Sequence, residues 1–367
     1  MKKILFVLLF FATSAFAVTN KTAYVNTDCA NSGDGTASSC AASPGGAGAY
    51  NTLDAAIYAE ETANADLVSS DINLTIDCRG ATADGPIDAI GTRFTTDATR
   101  FLTIQGDFAG TAIDTSAYRI YGAYYACIRP GGAKLHVKNI QCISTHDGEG
   151  GMGMWIAQGC GVECYFDKCL FSHVGTSTNS ANKGVLAYDM DTGGKLIITN
   201  SIFYGFYSTI IRVYLVEGFE LYLANLTLDG SQANENIYVT ANGTSDVFSA
   251  RNIVSVNAYQ EDWYTSGSFA TTDWSNIATD DGTSPEAGRR NLTITFADTH
   301  DYAIDGETDL IDQGTDLSSD TDIPFNDDIE GDTRSGTWDI GVDEYVTGSS
   351  YRTSSAGNFQ MLSGGLQ

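Results

Sequence analysis

The chain has 367 residues, with 46 acidic against 19 basic side chains and a formal net charge of −27. That length allows one large elongated domain or two ordinary ones. The charge argues against nucleic acid and against anionic membrane surfaces as partners, disfavours tight binding of polyanions unless calcium bridges them, and suits solubility, a saline habitat or bound divalent cations.

Residues 1–17 read as a secretory signal: Lys2 and Lys3, an apolar run over 4–11, then Ala15-Phe16-Ala17 as a small-x-small cleavage site. No Cys follows that site, and no later apolar run reaches membrane-spanning length. The expected location is extracellular or cell-surface, with the periplasm as an alternative. Eight cysteines fit an oxidising compartment. Cys29 and Cys40 bracket a loop rich in Gly, Ala, Ser and Asp over 26–48 and are expected to pair. Cys142 and Cys169 fall one repeat apart and are expected to pair or to stack as thiols. Cys160, Cys164 and Cys169 match no standard zinc spacing.

Residues 50–63 carry an amphipathic pattern through Leu53, Ala56 and Ile57, with Asn51 or Thr52 as the helix cap. This helix completes an N-terminal unit over 18–65. It would close the open N-terminal end of a solenoid, because solenoid ends expose core and unpaired strand edges.

Short strands are expected at 74–78, 102–104 and 118–121. Five segments of about ten residues then superpose: 135–144 (LHVKNIQCIS), 164–173 (CYFDKCLFSH), 196–205 (LIITNSIFYG), 221–230 (LYLANLTLDG) and 248–257 (FSARNIVSVN). Apolar and polar residues alternate in each, which is a strand period. A polar residue breaks each segment near its middle: Asn139, Lys168, Asn200, Asn225 and Asn252, at steps of 29, 32, 25 and 27 residues. Repeats of this size stack as solenoids. Each reads as two short strands joined by a bend, with a third strand and two turns in the remainder. The predicted fold is therefore all-β, a right-handed parallel β-helix over 66–300 with about three short strands per coil. Asparagine suits the bends because its amide both donates and accepts and because it tolerates left-handed backbone. Asn139, Asn200, Asn225 and Asn252 are expected to form a ladder up the stack.

Residues 148–153 form a Gly-rich loop leading to a strand at 154–157, without the Lys-Ser/Thr that a phosphate loop needs. Asn276 reads as one further bend, and 292–296 (LTITF) as a strand. Residues 301–347 are taken as a closing segment and 348–367 as a loose tail. Acid is concentrated late: from Asp273 to Glu344 there are 20 acidic residues and three arginines.

Two features together resemble a family. The Asn-punctuated coils look like pectate-lyase-like right-handed parallel β-helix proteins. The run Asp328-Ile329-Glu330-Gly331-Asp332-Thr333-Arg334, followed by Trp338-Asp339-Ile340-Gly341-Val342-Asp343-Glu344-Tyr345, resembles the "DxDGxxR…DIGxxE" ending of exported bacterial and environmental members with choice-of-anchor-like ends. Val342 stands where that ending usually has Ala. The resemblance implies the architecture rather than an activity. The expected local work of the ending is an Arg334 ion pair with Asp328 or Asp339, with Ile340 and Tyr345 covering the last coil. The functional alternative is a calcium site from Asp327, Asp328, Asp332 and Asp343, since calcium favours hard oxygen ligands.

The pectin-active motifs are absent: there is no GHG and no R-I-K, and Asn26-Thr27-Asp28 spells NTD only in the N-terminal loop. The remaining candidate constellation is His146, Asp147 and Glu149, then Asp167 and His173, then Asp189, Asp191 and Arg212. Carboxylates and a histidine on one face would do acid–base work. Trp155 and Tyr188 are the candidate sugar-stacking aromatics. The leading expectation is an exported, non-enzymatic surface or extracellular protein, structural or in contact with a glycan. The alternatives are a lyase or glycoside hydrolase of an acidic polysaccharide, and a subunit that assembles end to end with copies of itself.

Overall fold

An alternating strand buries one side chain in two, so a stack of such strands must place core residues above core residues. The computed structural model describes residues 18–345 apart from 88–92, 123–125, 146–151, 158–162, 176–181, 189–191, 231–232, 299 and 307. It begins with β1 (Thr19–Asn26), α1 (Leu53–Asn64), the one-turn α2 (Leu67–Ser70) and β2 (Ile72–Arg79). Then come β3 (Leu102–Gln105), β4 (Arg119–Gly122), β5 (Ala126–Ile128), β6 (Leu135–Lys138), β7 (Gln141–Ser144), β8 (Met152–Ala157), β9 (Cys164–Asp167), β10 (Leu170–His173) and β11 (Lys183–Tyr188). The later coils hold β12 (Lys195–Tyr204), β13 (Thr209–Leu215), β14 (Glu220–Asp229), β15 (Glu235–Ala241), β16 (Val247–Val256), β17 (Glu261–Ser266) and β18 (Thr271–Thr279).

All of these pair in parallel. The first sheet stacks β1, β2, β3, β6 and β9 under the front halves of β12, β14, β16 and β18. The second stacks β4, β7 and β10 under the back halves of the same long strands. The third contains β5, β8, β11, β13, β15 and β17. The result is a right-handed parallel β-helix. One inward column runs Leu74, Leu102, Leu135, Cys164, Leu196, Leu221, Phe248, and every member is fully buried. Burial of one such leucine contributes about 1.5–3 kcal/mol.

The first and second sheets meet at the bends. Asn139, Lys168, Asn200, Asn225, Asn252 and Asn276 all have left-handed backbone, with φ between 44° and 57°. Asn276 Nδ2 donates to Asn252 Oδ1 (3.2 Å), Asn252 Nδ2 to Asn225 Oδ1 (3.0 Å), and Asn225 Nδ2 to Asn200 Oδ1 (3.3 Å). Asn200 Nδ2 donates to Asp167 Oδ1 (3.2 Å), and Arg289 Nη2 donates to Asn276 Oδ1 (3.0 Å). Asn139 stands apart from this chain and donates to the Phe108 carbonyl (2.8 Å).

At the N-terminal end, Thr52 caps α1 by accepting from the Ala55 amide, and Leu53, Ala56 and Ile57 join the main core. Cys29 and Cys40 form a disulfide. Cys78, Cys127, Cys142, Cys164 and Cys169 are buried free thiols, so Cys142 and Cys169 do not pair.

After β18 the chain turns back and runs along the outside of the solenoid as a strap. The strand expected at 292–296 is displaced: β19 (Phe296–Asp298) pairs antiparallel with β20 (Asp301–Ile304), and residues 292–295 are irregular. A parallel stack offers the strap no further coil to join, so it buries its apolar side chains on the outer faces instead. Leu310 and Ile340 pack on Val254, Val256 and Ala278. Tyr302, Ile329 and Val342 pack on Leu170, Ile202 and Tyr204. Leu317, Ile323 and Trp338 pack on Ile197, Tyr222 and Ala224. The strap thus lies over the first and second sheets. No helix among the described residues is long and apolar enough to cross a membrane.

Candidate functional site

The candidate catalytic residues that the structure describes lie on three different sheets. Asp167 ends β9 in the first sheet, where it accepts from Thr199 Oγ1 (2.8 Å) and Asn200 Nδ2 (3.2 Å). Burial pushes its carboxyl up from the usual carboxylate range. His173 ends β10 in the second sheet, buried, with Nδ1 3.4 Å from Ser144 Oγ. Arg212 lies on β13 in the third sheet. His146, Asp147, Glu149, Asp189 and Asp191 fall outside the described residues. Lys168, the odd bend residue, ion-pairs through Nζ with Asp327 of the strap (2.6 Å).

The strap uses its acids against protein donors. Asp328 accepts from the Gly331 and Asp332 amides (2.9 Å each), and Asp343 accepts from the Ile304 amide (2.8 Å). Asp332 gives its carbonyl to the Asp328 amide (3.0 Å). Burial pushes Asp343 up to about 7. The expected pairing of Arg334 needs correction. Its buried guanidinium ion-pairs with Glu344 (3.0 Å) and donates to the carbonyls of Asp339 (3.2 Å) and Gly341 (2.9 Å), with the Trp338 ring 5.5 Å away. The side chain of Asp339 instead accepts from the Asp312 and Tyr345 amides (2.6 Å each). Among the described residues, no three His, Cys, Asp or Glu side chains are gathered as a metal site.

The third sheet differs from the other two. Among the described residues, no apolar cluster or hydrogen bond joins residues 292–345 to it. Its strands alternate, so Val185, Ile211, Ile237 and Trp263 point inward. The next residue on each strand points out: Leu186, Arg212, Tyr238 and Tyr264 form one column. Tyr188 lies at the end of β11, and Tyr214, Thr240 and Ser266 continue outward on the next three strands. Neither column contains an acidic residue.

Parallel register places successive column members about 4.8 Å apart, and the contacts agree with that spacing. Arg212 Nε donates to the Tyr214 hydroxyl (2.6 Å), and its guanidinium carbon lies 4.7 Å from the Tyr238 ring centre. Tyr238 stacks on Tyr264 with centroids 4.8 Å apart and an interplanar angle of 16°. One face of Tyr238 therefore meets the guanidinium and the other meets a phenol. What these rings offer outward is their hydroxyl edges, and only Tyr264, 36% exposed, ends the stack. Lys183 begins β11 in the row that continues through Thr209 and Glu235. Burial pushes its amine down to about 8, and the charge of Arg212 adds to the shift.

Of the expected sugar-contacting aromatics, Tyr188 is half-buried on this sheet, and Trp155 pairs through its backbone with Leu186 in the same column. The tyrosines at 238 and 264 were not anticipated. A signal for them existed: Arg212, Tyr238 and Tyr264 recur at equal steps of 26 residues (238 − 212 and 264 − 238), each one place after Ile211, Ile237 or Trp263.

Three stacked parallel sheets around a single core define a parallel β-helix protein. The solved structure of pectate lyase Pel9A is similar to this chain over 91% of this chain and 98% of that one, at 14% identity and a TM-score of 0.34. No family model matches the chain, and no curated protein matches it.

Proposed function

We propose that this is an exported β-helix protein that contacts a polysaccharide along its third sheet and does not cleave it. The observation that carries the reading is the outward Arg212–Tyr238–Tyr264 column, on a sheet that the strap does not touch among the described residues. Phenol hydroxyls donate and accept, and aromatic and guanidinium groups are the side chains sugars meet best. A contact role is favoured over a catalytic one because Asp167, His173 and Arg212 occupy three different sheets. General acid–base work needs its groups within hydrogen-bond reach of one bond. Export is supported by the Cys29–Cys40 disulfide and by the signal-like residues 1–17.

The test is a panel of neutral and acidic polysaccharides incubated with the mature protein, with and without calcium, scored for retention and for new chain ends. Retention without new ends is the expected result. New ends on any polymer overturn the non-catalytic reading. Absence of retention, with large particles in light scattering, replaces it with end-to-end assembly.

A further inference from the structure

The chain carries 46 acidic side chains, yet among the described residues no carboxylate pairs with Arg212. Arg100 pairs with Asp71 and Asp97, Arg251 with Asp273 and Asp320, and Arg334 with Glu344, whereas Arg119 on β4 donates to the carbonyls of Thr115 and Ala117. Arg212 is held instead by aromatic neighbours. The Tyr214 hydroxyl accepts a hydrogen bond from its Nε, and the rings of Tyr214 and Tyr238 lie 5.3 Å and 4.7 Å from its guanidinium carbon. These contacts fix the plane of the fork and leave its two terminal nitrogens without a protein acceptor among the described residues. A planar fork with two free N–H edges matches carboxylate or sulfate in bidentate geometry.

From these contacts we infer that Arg212 is an anion-reading subsite on the third sheet, one that takes a carboxylate or sulfate substituent of a glycan lying across the tyrosine column. The inference rests on the polysaccharide reading and specifies the ligand's charge. The distribution of charge over the molecule supports it. The acid-rich stretch from Asp273 onward supplies the strap over the first and second sheets, which keeps it off the third, where Glu235 and Glu261 stand in the row beginning at Lys183 and outside the Arg212 column. Lys183 lies near the fork but is buried one row inward, where the Glu235 carboxylate acts on it as well. Tyr238 lies against the fork and Tyr264 one coil beyond it, a phenol row that would meet sugar hydroxyls. No metal is required, because the guanidinium supplies the positive charge directly.

The experiment immobilises a polyuronate, a sulfated glycan and a neutral glucan, and measures retention of the mature protein, Arg212→Gln and Arg212→Lys, all in EDTA. Arg212 points outward, so all three proteins are expected to melt alike; Arg212→Lys keeps the charge without the fork should the glutamine variant not fold. The parent is expected to hold at least one anionic polymer in the chelator. Arg212→Gln is expected to weaken that hold at least about tenfold and Arg212→Lys by less, with the neutral glucan unaffected. The stronger of the two anionic polymers identifies the substituent. Equal retention of anionic polymer by parent and variants overturns the inference and leaves the polysaccharide reading standing. Loss of the parent's anionic retention in EDTA also overturns it, in favour of a cation bridge. Failure of the parent to hold any of the three polymers removes the reading itself.

Discussion

The two flanks of this solenoid solve the same problem differently. Every parallel sheet here has an inner face in the core and an outer face that must meet something. On the later coils of the first and second sheets that something is the strap, which places Trp338, Ile340, Tyr302 and Ile329 on apolar outer residues. On the third sheet the outer residues are Arg212 and a row of tyrosines that stack on one another. The covered flank is built for stability, and its outward residues are apolar because the same chain returns to bury them. The third sheet satisfies its outward side chains laterally, coil against coil, through the Arg212–Tyr238–Tyr264 contacts.

The comparison is most directly broken at the strap's anchor. Trp338 is buried against Leu317, Ile323 and Tyr222, so Trp338→Ala should destabilise the protein by about 3–5 kcal/mol. Chemical denaturation measures this, and limited proteolysis should cut the strap first. A smaller loss would mean the strap is loosely held and the two flanks are not so different. Next is the seam where the sheets meet. Asn225 is fully buried between Asn200 and Asn252, so Asn225→Ala takes the donor from Asn200 Oδ1 and one of two acceptors from Asn252 Nδ2, which keeps the Thr315 carbonyl. The expected cost is about 1–3 kcal/mol, and an unchanged thermal melt would show that the amide chain adds nothing.

A third prediction uses acidity. The folded protein holds Asp343 at about 7, above its ordinary carboxylate value, because of burial. Its contribution is therefore fully present below the unfolded value near 4 and is lost as pH rises through about 7. The strap should loosen as pH rises through that window. Asp343→Asn retains an oxygen for the Ile304 amide and should flatten the melting temperature between pH 5 and 8 relative to the parent, an effect of about 2–3 kcal/mol. A parallel pH slope in both proteins would assign the titration elsewhere. The smallest effect belongs to the third sheet. Tyr238→Phe keeps the stack and removes an outward hydroxyl, so stability should stay within about 0.5 kcal/mol while retention on polysaccharide falls. If stability drops instead, that hydroxyl serves the fold.

Where the sequence repeats at constant register, the architecture was legible. Asn200, Asn225 and Asn252 mark bends because a left-handed residue is needed at the same place in each coil, and Lys168 takes the same φ in the same register. The Thr52 cap and the apolar face of α1 are local signals of the same kind. The strap was harder to read. Its residues contact coils more than a hundred positions earlier, as when the Val342 amide meets Thr227 Oγ1 (3.4 Å), and no local period encodes that. For the same reason Arg334 was expected beside the nearest acids in sequence when its ion-pair partner is Glu344. The candidate catalytic group gathered Asp167 and His173 from one coil with Arg212 from the next. A coil has three sheets, so proximity along the chain is not proximity on one face. The 26-residue step from Arg212 to Tyr238 to Tyr264 was available, but the search for bends tracks the seam between the first two sheets, and the third sheet runs on its own register.

The amide chain along the bends also has a direction. Each asparagine from 276 down to 200 donates toward the N-terminal end and accepts from the C-terminal end. At one terminus stands Arg289, which has protons to give and no lone pair to receive one; at the other stands the carboxylate of Asp167, which receives. Four side-chain dipoles thus lie head to tail between a cation and an anion, an arrangement otherwise met in the backbone of a helix with charged ends. Turning over any single amide would set donor against donor on one side and acceptor against acceptor on the other, so the four orient together. A stack assembled from identical-looking coils thereby acquires a polarity that its strands alone would not impose on the side chains at the seam.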